Sequence, residues 1–338
     1  MQSVRDYRNV PARLKGASLA LGNFDGVHRG HQVVLQAAMD AAKANNAPAG
    51  AMVFEPHPRR FFHPDRPFFD LTTLEVKQHL LADFGLDLTV ALPFDAALAD
   101  MSADKFIEEV LVAGLGVSHI VTGYDFSYGK GRSGNIETLR AAGQKHGFGV
   151  TIIKPVTENG HEVISSSGVR AALRAGNPRE AAGLLGHWWS VAGKVKKGHG
   201  RGKTMGYPTA NIHLHEGCEP KIGIYAVRVF IGDNQGHALR RINGAAYFGA
   251  SPTFGGVEPL LEPFLFDFDG DLYGHRIEVE FIDYLRGDAK FENMDDLKRQ
   301  IDEDCTRAKE VLAQLETNDP MLQFPLGRRR ERLLNTSA

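Results

Sequence analysis

The sequence predicts an α/β protein in two parts: a parallel sheet covered by helices, then a small β-barrel closed by one helix. Three observations carry this reading. Short apolar runs alternate with helical patterns up to about residue 160, as in a parallel sheet covered on both faces. After a last helical stretch the pattern becomes short alternating runs separated by Gly, Pro and Asp, which is all-β patterning. A single apolar stripe at helical spacing follows the last of these runs.

Taken in order, residues 18–24 read as a buried strand, followed by a Gly-rich turn and good helix formers from 30 to about 45. Strands are expected at 50–54, 88–93, 119–123 and 149–155, with helices at 74–84, 103–113 and 136–146 between them. A last helix at 167–185 ends at Gly186, where the boundary is placed. Barrel strands are expected at 188–196, 209–213, 225–231, 238–248, 261–268 and 276–285. The closing helix carries Met294, Leu297, Ile301, Ala308, Leu312 and Leu315 on one stripe. The domains are therefore 1–186 and 187–318, with a tail at 319–338. Its end, with Arg328, Arg329 and Arg330, is expected to fray into solvent.

The 338 residues suit two domains, and 43% hydrophobic residues suffice for ordinary cores. With 39 basic against 41 acidic residues, no large field draws in nucleic acid or a membrane surface. Cys218 and Cys305 cannot build a disulfide framework or a four-ligand zinc site. No apolar run spans a bilayer, and the first residues lack an apolar signal core. A soluble, cytoplasmic protein is expected.

Residues 22–31, Gly-Asn-Phe-Asp-Gly-Val-His-Arg-Gly-His, sit where the first strand passes into the first helix. Ligands of open α/β sheets bind outside the carboxyl ends of strands. A helix start adds free N–H groups and partial positive charge, a natural phosphate seat. His28 and His31 are three apart and share a face, so both can donate to a phosphate oxygen on which charge builds. Gly22, Gly26 and Gly30 allow close backbone approach. The same residues also read as a glycine turn whose histidines cap a helix. His57 and His63 would be the further ligands of a metal reading, which no carboxylate–histidine spacing supports. Ser165, Ser166 and Arg170 open another helix and can cradle a triphosphate, or form an N-cap beside a solvated arginine.

In the second part, Gly202, Lys203 and Thr204 suggest a P-loop, but Lys197 stands where glycine is required and Pro208 follows where a helix should begin. The loop with Gly198, Gly200, Arg201, Gly202 and Lys203 can still wrap phosphates with its backbone N–H groups. Thr209 and Asn211 alternate along an extended segment and point to one side. Their oxygens can share Mg²⁺ with phosphate; a plain edge strand is the other reading. The acidic run from Asp267 to Asp271 lacks the glycine of a calcium loop, with Leu272 in its place.

The first motif resembles the H-x-G-H signature of nucleotidyltransferases and, more narrowly, the FMN adenylyltransferase module of bacterial FAD synthetases. Phe54-Glu55-Pro56-His57-Pro58, then Gly123-Tyr124-Asp125-Phe126-Ser127-Tyr128-Gly129, then Ile164-Ser165-Ser166-Ser167-Gly168-Val169-Arg170 are similar to that family's later elements, in its order. Ser167 and Val169 depart from its usual Thr and Ile. Gly193-Lys194-Val195, Gly206-Tyr207-Pro208-Thr209-Ala210-Asn211, Gly223-Ile224-Tyr225-Ala226-Val227, Pro252-Thr253-Phe254 and Asp271-Leu272-Tyr273-Gly274 resemble riboflavin kinases. Class I aminoacyl-tRNA synthetases share the H-x-G-H idea, but their K-M-S-K-S loop is absent.

The resemblance implies a Rossmann-like nucleotidyltransferase domain at 1–186 and a kinase barrel at 187–318. It implies ATP and Mg²⁺ at both sites, riboflavin, FMN and FAD as flavin ligands, and ADP and pyrophosphate as products. His28 and His31 would be catalytic, with Gly22, Phe24, Gly26, Asp125, Ser165, Ser166 and Arg170 binding ATP. In the kinase, Gly198, Gly200, Arg201, Gly202 and Lys203 would bind ATP and Thr209 and Asn211 the Mg²⁺. Glu262 would be the base, with Glu258 a rival. The family's E-x-H reads Glu262-Pro263-Phe264 here. Phe62, Tyr128 and Phe254 are candidate flavin-stacking residues.

Overall fold

Leu19, Leu21, Met52, Val90 and Ile120 come from separate apolar runs, and the computed structural model gathers them into one core. Residues 1–158, 162–197, 206–232, 238–253 and 256–336 are described. They form two compact units, Met1–Pro67 with Lys77–Ser165, and Phe68–Val76 with Ser166–Ala338.

The first unit is built on β1 (Gln2–Val4), β2 (Ser18–Leu21), β3 (Ala49–Glu55), β4 (Leu88–Pro93), β5 (His119–Gly123) and β6 (Gly149–Ile153). Their order is β1-β4-β3-β2-β5-β6, and every pair is parallel. The connecting helices are α1 (Arg29–Ala44), α2 (Pro58–Phe62), α3 (Leu74–Phe84), α4 (Ala96–Ala99), α5 (Ala103–Lys105), which runs into a π-helix at Phe106–Gly114, and α6 (Ile136–His146). Sequence sets their ends. Asn135 and Thr138 form a capping box before α6, and Gly147 closes it with φ +82°. β2 lies between β3 and β5, and the chain leaves it toward β3 and later returns to its other side at β5. That reversal is a topological switch point, where open α/β sheets leave a crevice at the carboxyl ends of their strands. Residues 22–28 emerge there. A short antiparallel pair, β7 (Thr157–Glu158) and β8 (Glu162–Val163), follows.

The second unit is a closed barrel of β9 (Ser190–Lys196), β10 (Asn211–His213), β11 (Gly223–Gly232), β12 (Ala238–Thr253), β13 (Gly256–Leu265) and β14 (Arg276–Arg286), in the order β10-β13-β12-β11-β14-β9. Its interior holds Val191, Ile212, Val227, Val229, Leu261 and Phe281. Helices α7 (Ser166–Ala175) and α8 (Pro178–Leu185) share this core through Val169, Leu173, Ala181 and Leu185. The change of sequence pattern at Gly186 thus falls inside this compact unit. Among the described residues, no helix is long and apolar enough to cross a membrane.

Two expectations are corrected. The stripe of the closing helix, α9 (Met294–Thr317), is buried only in its second half, at Ala308, Leu312 and Leu315. Met294 is exposed, and buried Asp304 holds Arg286 through a forked ion pair, its oxygens 2.7–3.0 Å from the guanidinium. The chain end does not fray: Pro325–Thr336 is a helix, α10, with Leu326 fully buried. Arg330 bonds Glu278 at 2.8 Å and Glu331 bonds Arg241 at 2.7 Å. Just before it, Asp319 accepts from Trp188 and from Arg228, which lies 2.8 Å away. Burial pushes the nearby Glu280 carboxyl up to about 7, opposed by Arg330 and Arg228. Leu326→Ala should therefore cost about 2–5 kcal/mol by opening a cavity, read as a lower urea midpoint for the barrel; a loss within about 0.5 kcal/mol would return the tail to solvent.

Candidate active sites

The chain turns from β2 into α1 within seven residues, Gly22 to His28, and the turn is strained. Phe24 and Val27 hold φ of +47° and +45°. A β-branched residue there is a true outlier, costing about 1–3 kcal/mol. The Gln32 side chain secures it by donating to the Val27 carbonyl at 2.9 Å. Gly22 lies under the Phe24 ring, where a Cβ would come within 3.3 Å, and Gly26 takes φ +81°.

His28 is buried and caps α1, its Nδ1 accepting from the His31 N–H at 3.2 Å. A neutral imidazole with Nδ1 as acceptor carries its proton on Nε2. The His31 ring stacks on it at 3.5 Å between centroids and meets the edge of Phe24. His28 therefore caps the helix while the pair still shares a face. Burial first, then His28 and Lys77, hold the His31 pKa well below its ordinary 6.5. His31 Nδ1 is buried without a hydrogen-bond partner, as is Asn23 Oδ1.

The neighbouring strands deliver the later motifs to the same carboxyl edge. After β3, whose Glu55–Pro56 bond is cis, His57 caps α2 by accepting from the Arg59 N–H. Its Nε2 lies 3.1 Å from the Asn23 amide. Sequence reading quoted both residues without pairing them. After β5, Asp125 sits exposed in the turn beside Gly123. Ser165 ends the first unit, while Ser166 and Arg170 belong to α7 in the second. There the Arg170 guanidinium bonds the Phe69 carbonyl and lies over the Phe68 ring, so it is not a solvated arginine. Tyr128 is no stacking platform: it is buried in the core against Phe106 and Phe126, and its hydroxyl pairs with Thr138. Phe62 is 58% exposed and joins Phe61 and Phe94 edge to face. Among the described residues no group of three or more His, Cys, Asp or Glu is placed to hold a metal ion.

In the second unit, strand register decides the arrangement. Ile212 pairs with Leu261 and Thr209 with Phe264, which sets Asn211 directly opposite Glu262. The Ala210 N–H bonds the Pro263 carbonyl, so Asn211 and Glu262 form the non-hydrogen-bonded type of pair, whose side chains are closest. Ala210, Ile212, Leu261 and Leu265 are buried, so Thr209, Asn211, Glu262 and Phe264 face away from the barrel interior. Tyr247 of β12 pairs with Glu262 from the other side; burial, then Asp288 and Glu262, push its phenol up. Phe264, where the family has histidine, packs on Tyr207. The rival Glu258 is engaged with His213 at 2.9 Å. Gly198, Gly200, Arg201, Gly202, Lys203 and Phe254 lie outside the described residues.

Stacked histidines at the switch point of a parallel sheet, followed by a barrel that sets an amide opposite a carboxylate, are the frame of a two-site transferase. The FAD synthetase family matches residues 10–167 and the riboflavin kinase family residues 185–312. The bifunctional riboflavin kinase/FMN adenylyltransferase of Escherichia coli strain K12 is 38% identical over 311 residues, 92% of this chain and 97% of its own. That of Haemophilus influenzae is 38% identical over 309 residues, 91% and 98%. A solved structure described as a macrolide-efflux protein from Streptococcus pneumoniae aligns with TM-score 0.76 and 29% identity over 89% of this chain and 96% of its own. The chain belongs to the bifunctional riboflavin kinase/FMN adenylyltransferase family, with the adenylyltransferase N-terminal and the kinase C-terminal.

The His31 environment has a pH signature. The unfolded chain binds a proton here near the ordinary 6.5 and the folded chain only well below it, so stability falls as pH drops beneath about 6.5, by at most about 1.4 kcal/mol per pH unit. His31→Gln should flatten that part of the slope in urea denaturation at a series of pH values; parallel slopes in both proteins would remove His31 as its source.

Proposed function

We propose that AMP transfer takes place at the turn between β2 and α1, and phosphoryl transfer on the outer face of β10 and β13. The functional boundary is placed at Gly186, at the start of the stretch matched by the riboflavin kinase family.

In the first reaction an FMN phosphate oxygen bonds to the α-phosphorus of ATP, the bond to the β-phosphate breaks, and pyrophosphate leaves. The nucleophile is already ionised, so the site needs donors, not a base. The His28 Nε2–H, the His31 imidazole and the opening N–H groups of α1 stabilise charge gathering on the phosphoryl oxygens. Gly22, Phe24 and Gly26 shape the turn beneath the nucleotide, with Asp125 at the next strand end. Ser165, Ser166 and Arg170 are assigned to the triphosphate. Phe62, with Phe61 and Phe94, offers the flavin ring an aromatic surface. The observation that carries this reading is the stacked histidine pair at a helix start on the sheet's switch point.

In the second reaction the riboflavin 5′-hydroxyl attacks the γ-phosphorus of ATP, Glu262 accepts its proton, and ADP leaves. Thr209 and Asn211 offer a hydroxyl and an amide oxygen, hard donors few enough to suit Mg²⁺ shared with phosphate. Bound there, Mg²⁺ would neutralise charge on the phosphates. The observation that carries this reading is Asn211 standing opposite Glu262. The glycine loop, with Arg201 and Lys203, is assigned to the ATP phosphates. Use of ATP at both sites and free thiols at Cys218 and Cys305 suit the cytoplasm.

Glu262→Gln should abolish FMN formation from riboflavin yet still convert supplied FMN to FAD, as read by separating the flavins. His28→Ala combined with His31→Ala should do the reverse, losing about 10²-fold or more in adenylylation. Loss of both activities in either variant would contradict the separation of sites.

A further inference from the structure

Lys77 is only 3% exposed, in the first turn of α3. A cation held this deep beside the imidazole pair gives the crevice a positive character that favours an anion there. Topology locates it. The chain leaves β3 at its carboxyl end, passes through α2 and enters α3 before returning as β4. Lys77 is the residue at which α3 rejoins the first unit, and it is close enough to act on the charge state of His31.

A second group in that crevice is unsatisfied. His57 uses Nδ1 as an acceptor for the Arg59 N–H, so its proton is on Nε2, 3.1 Å from the Asn23 amide. Two donors cannot bond each other, and an amide's oxygen and nitrogen are assigned from such networks. The Asn23 oxygen therefore belongs on the His57 side, and its NH₂ takes the buried position that has no partner.

We infer that Lys77 and Asn23 are further substrate-contacting residues of the adenylyl-transfer site, binding phosphoryl oxygens, and that His57 is a positioning residue that holds the Asn23 amide with its N–H groups inward. This rests on the placement of AMP transfer at the β2–α1 turn. Lys77 supplies charge, Asn23 directional donors, and the orphaned His31 Nδ1 a third contact around the same anion.

The test uses the full-length chain, with riboflavin phosphorylation as the check that it is folded. Lys77→Met keeps the length of the side chain and removes the charge. It should leave the melting temperature equal or higher while FMN adenylylation falls about 10²-fold. Lysine merely packed in the core would instead show lost stability with full activity, and that outcome overturns the proposal. For His57, two variants separate its nitrogens. His57→Gln can still donate to the Asn23 oxygen but loses the cap on α2; His57→Asn keeps the cap and loses the donor. Adenylylation should recover most of its kcat in His57→Gln and fall about tenfold in His57→Asn; the opposite order makes His57 a helix cap only. If His28→Ala with His31→Ala leaves adenylylation intact, the placement of the site fails, whereas intact adenylylation in Lys77→Met alone fails only this inference.

Discussion

The corner proposed for adenylyl transfer depends on one hydrogen bond, from the His31 N–H to His28 Nδ1. It ends the strained turn by giving α1 its cap, and it fixes the His28 tautomer with the proton on Nε2. The same bond brings the two rings into a stack. Stacking buries His31 and sets it beside another imidazole, which holds it neutral. A neutral pair can offer N–H groups without repelling the buried Lys77. A second positive charge so near a lysine would instead need an anion to be stable at all. The cap, the tautomer and the electrostatics are thus consequences of one side chain's placement, and strain at Val27 is the local cost of achieving it.

The barrel reaches its site by a different device. Nothing strained holds Asn211 and Glu262 together; antiparallel register does. Slipping β10 against β13 by one residue would turn Thr209 and Asn211 into the interior and bring Ala210 and Ile212 out. Buried Ile212 and Leu261 therefore specify the candidate kinase face as surely as Asn211 and Glu262 compose it. Phe264, at the family's histidine position, faces the same way and packs on Tyr207, whose hydroxyl bonds Asp302 of α9. The closing helix is thereby tied to the edge of the candidate kinase face.

Much of this was legible in the sequence, and what was not has physical reasons. The alternation of strand and helix, and the placement of His28 and His31 at a helix start, follow from local periodicity and glycine placement, which a sequence displays directly. Pairing across strands does not: Asn211 and Glu262 are far apart in the chain, and only register decides that they meet. The final helix was hidden because its anchors are charged; Arg330 and Glu331 read as solvated until Glu278 and Arg241 stand opposite them. Lys77 sits in a helix correctly read from Leu74, Leu80, Leu81 and Phe84, but a lysine in such a pattern reads as surface. Tyr128 shows the reverse error. Its motif suggested a ligand contact, whereas an aromatic ring between Phe106 and Phe126 is core.

The two sites differ in chemical character because their nucleophiles differ. A phosphate monoester is ionised near neutrality, its second pKa being about 6, so adenylyl transfer has no proton to remove before attack. Its difficulty is repulsion between two anions, and in the proposed site imidazole N–H groups, a helix start and a lysine would answer that difficulty. A carboxylate acting as base would only add negative charge. The riboflavin hydroxyl is neutral, so phosphorylation must find an acceptor for its proton, and a carboxylate answers that need. As the proposed base, Glu262 would then require positive charge close by, because it would work against the phosphates of ATP. Asn211 and Thr209, facing the same side from the adjacent strand, are neutral oxygen donors that can hold Mg²⁺ without competing for the proton. Opposite electrostatic demands of this kind favour two separate sites over one pocket serving both steps, and the chain has a separate fold for each.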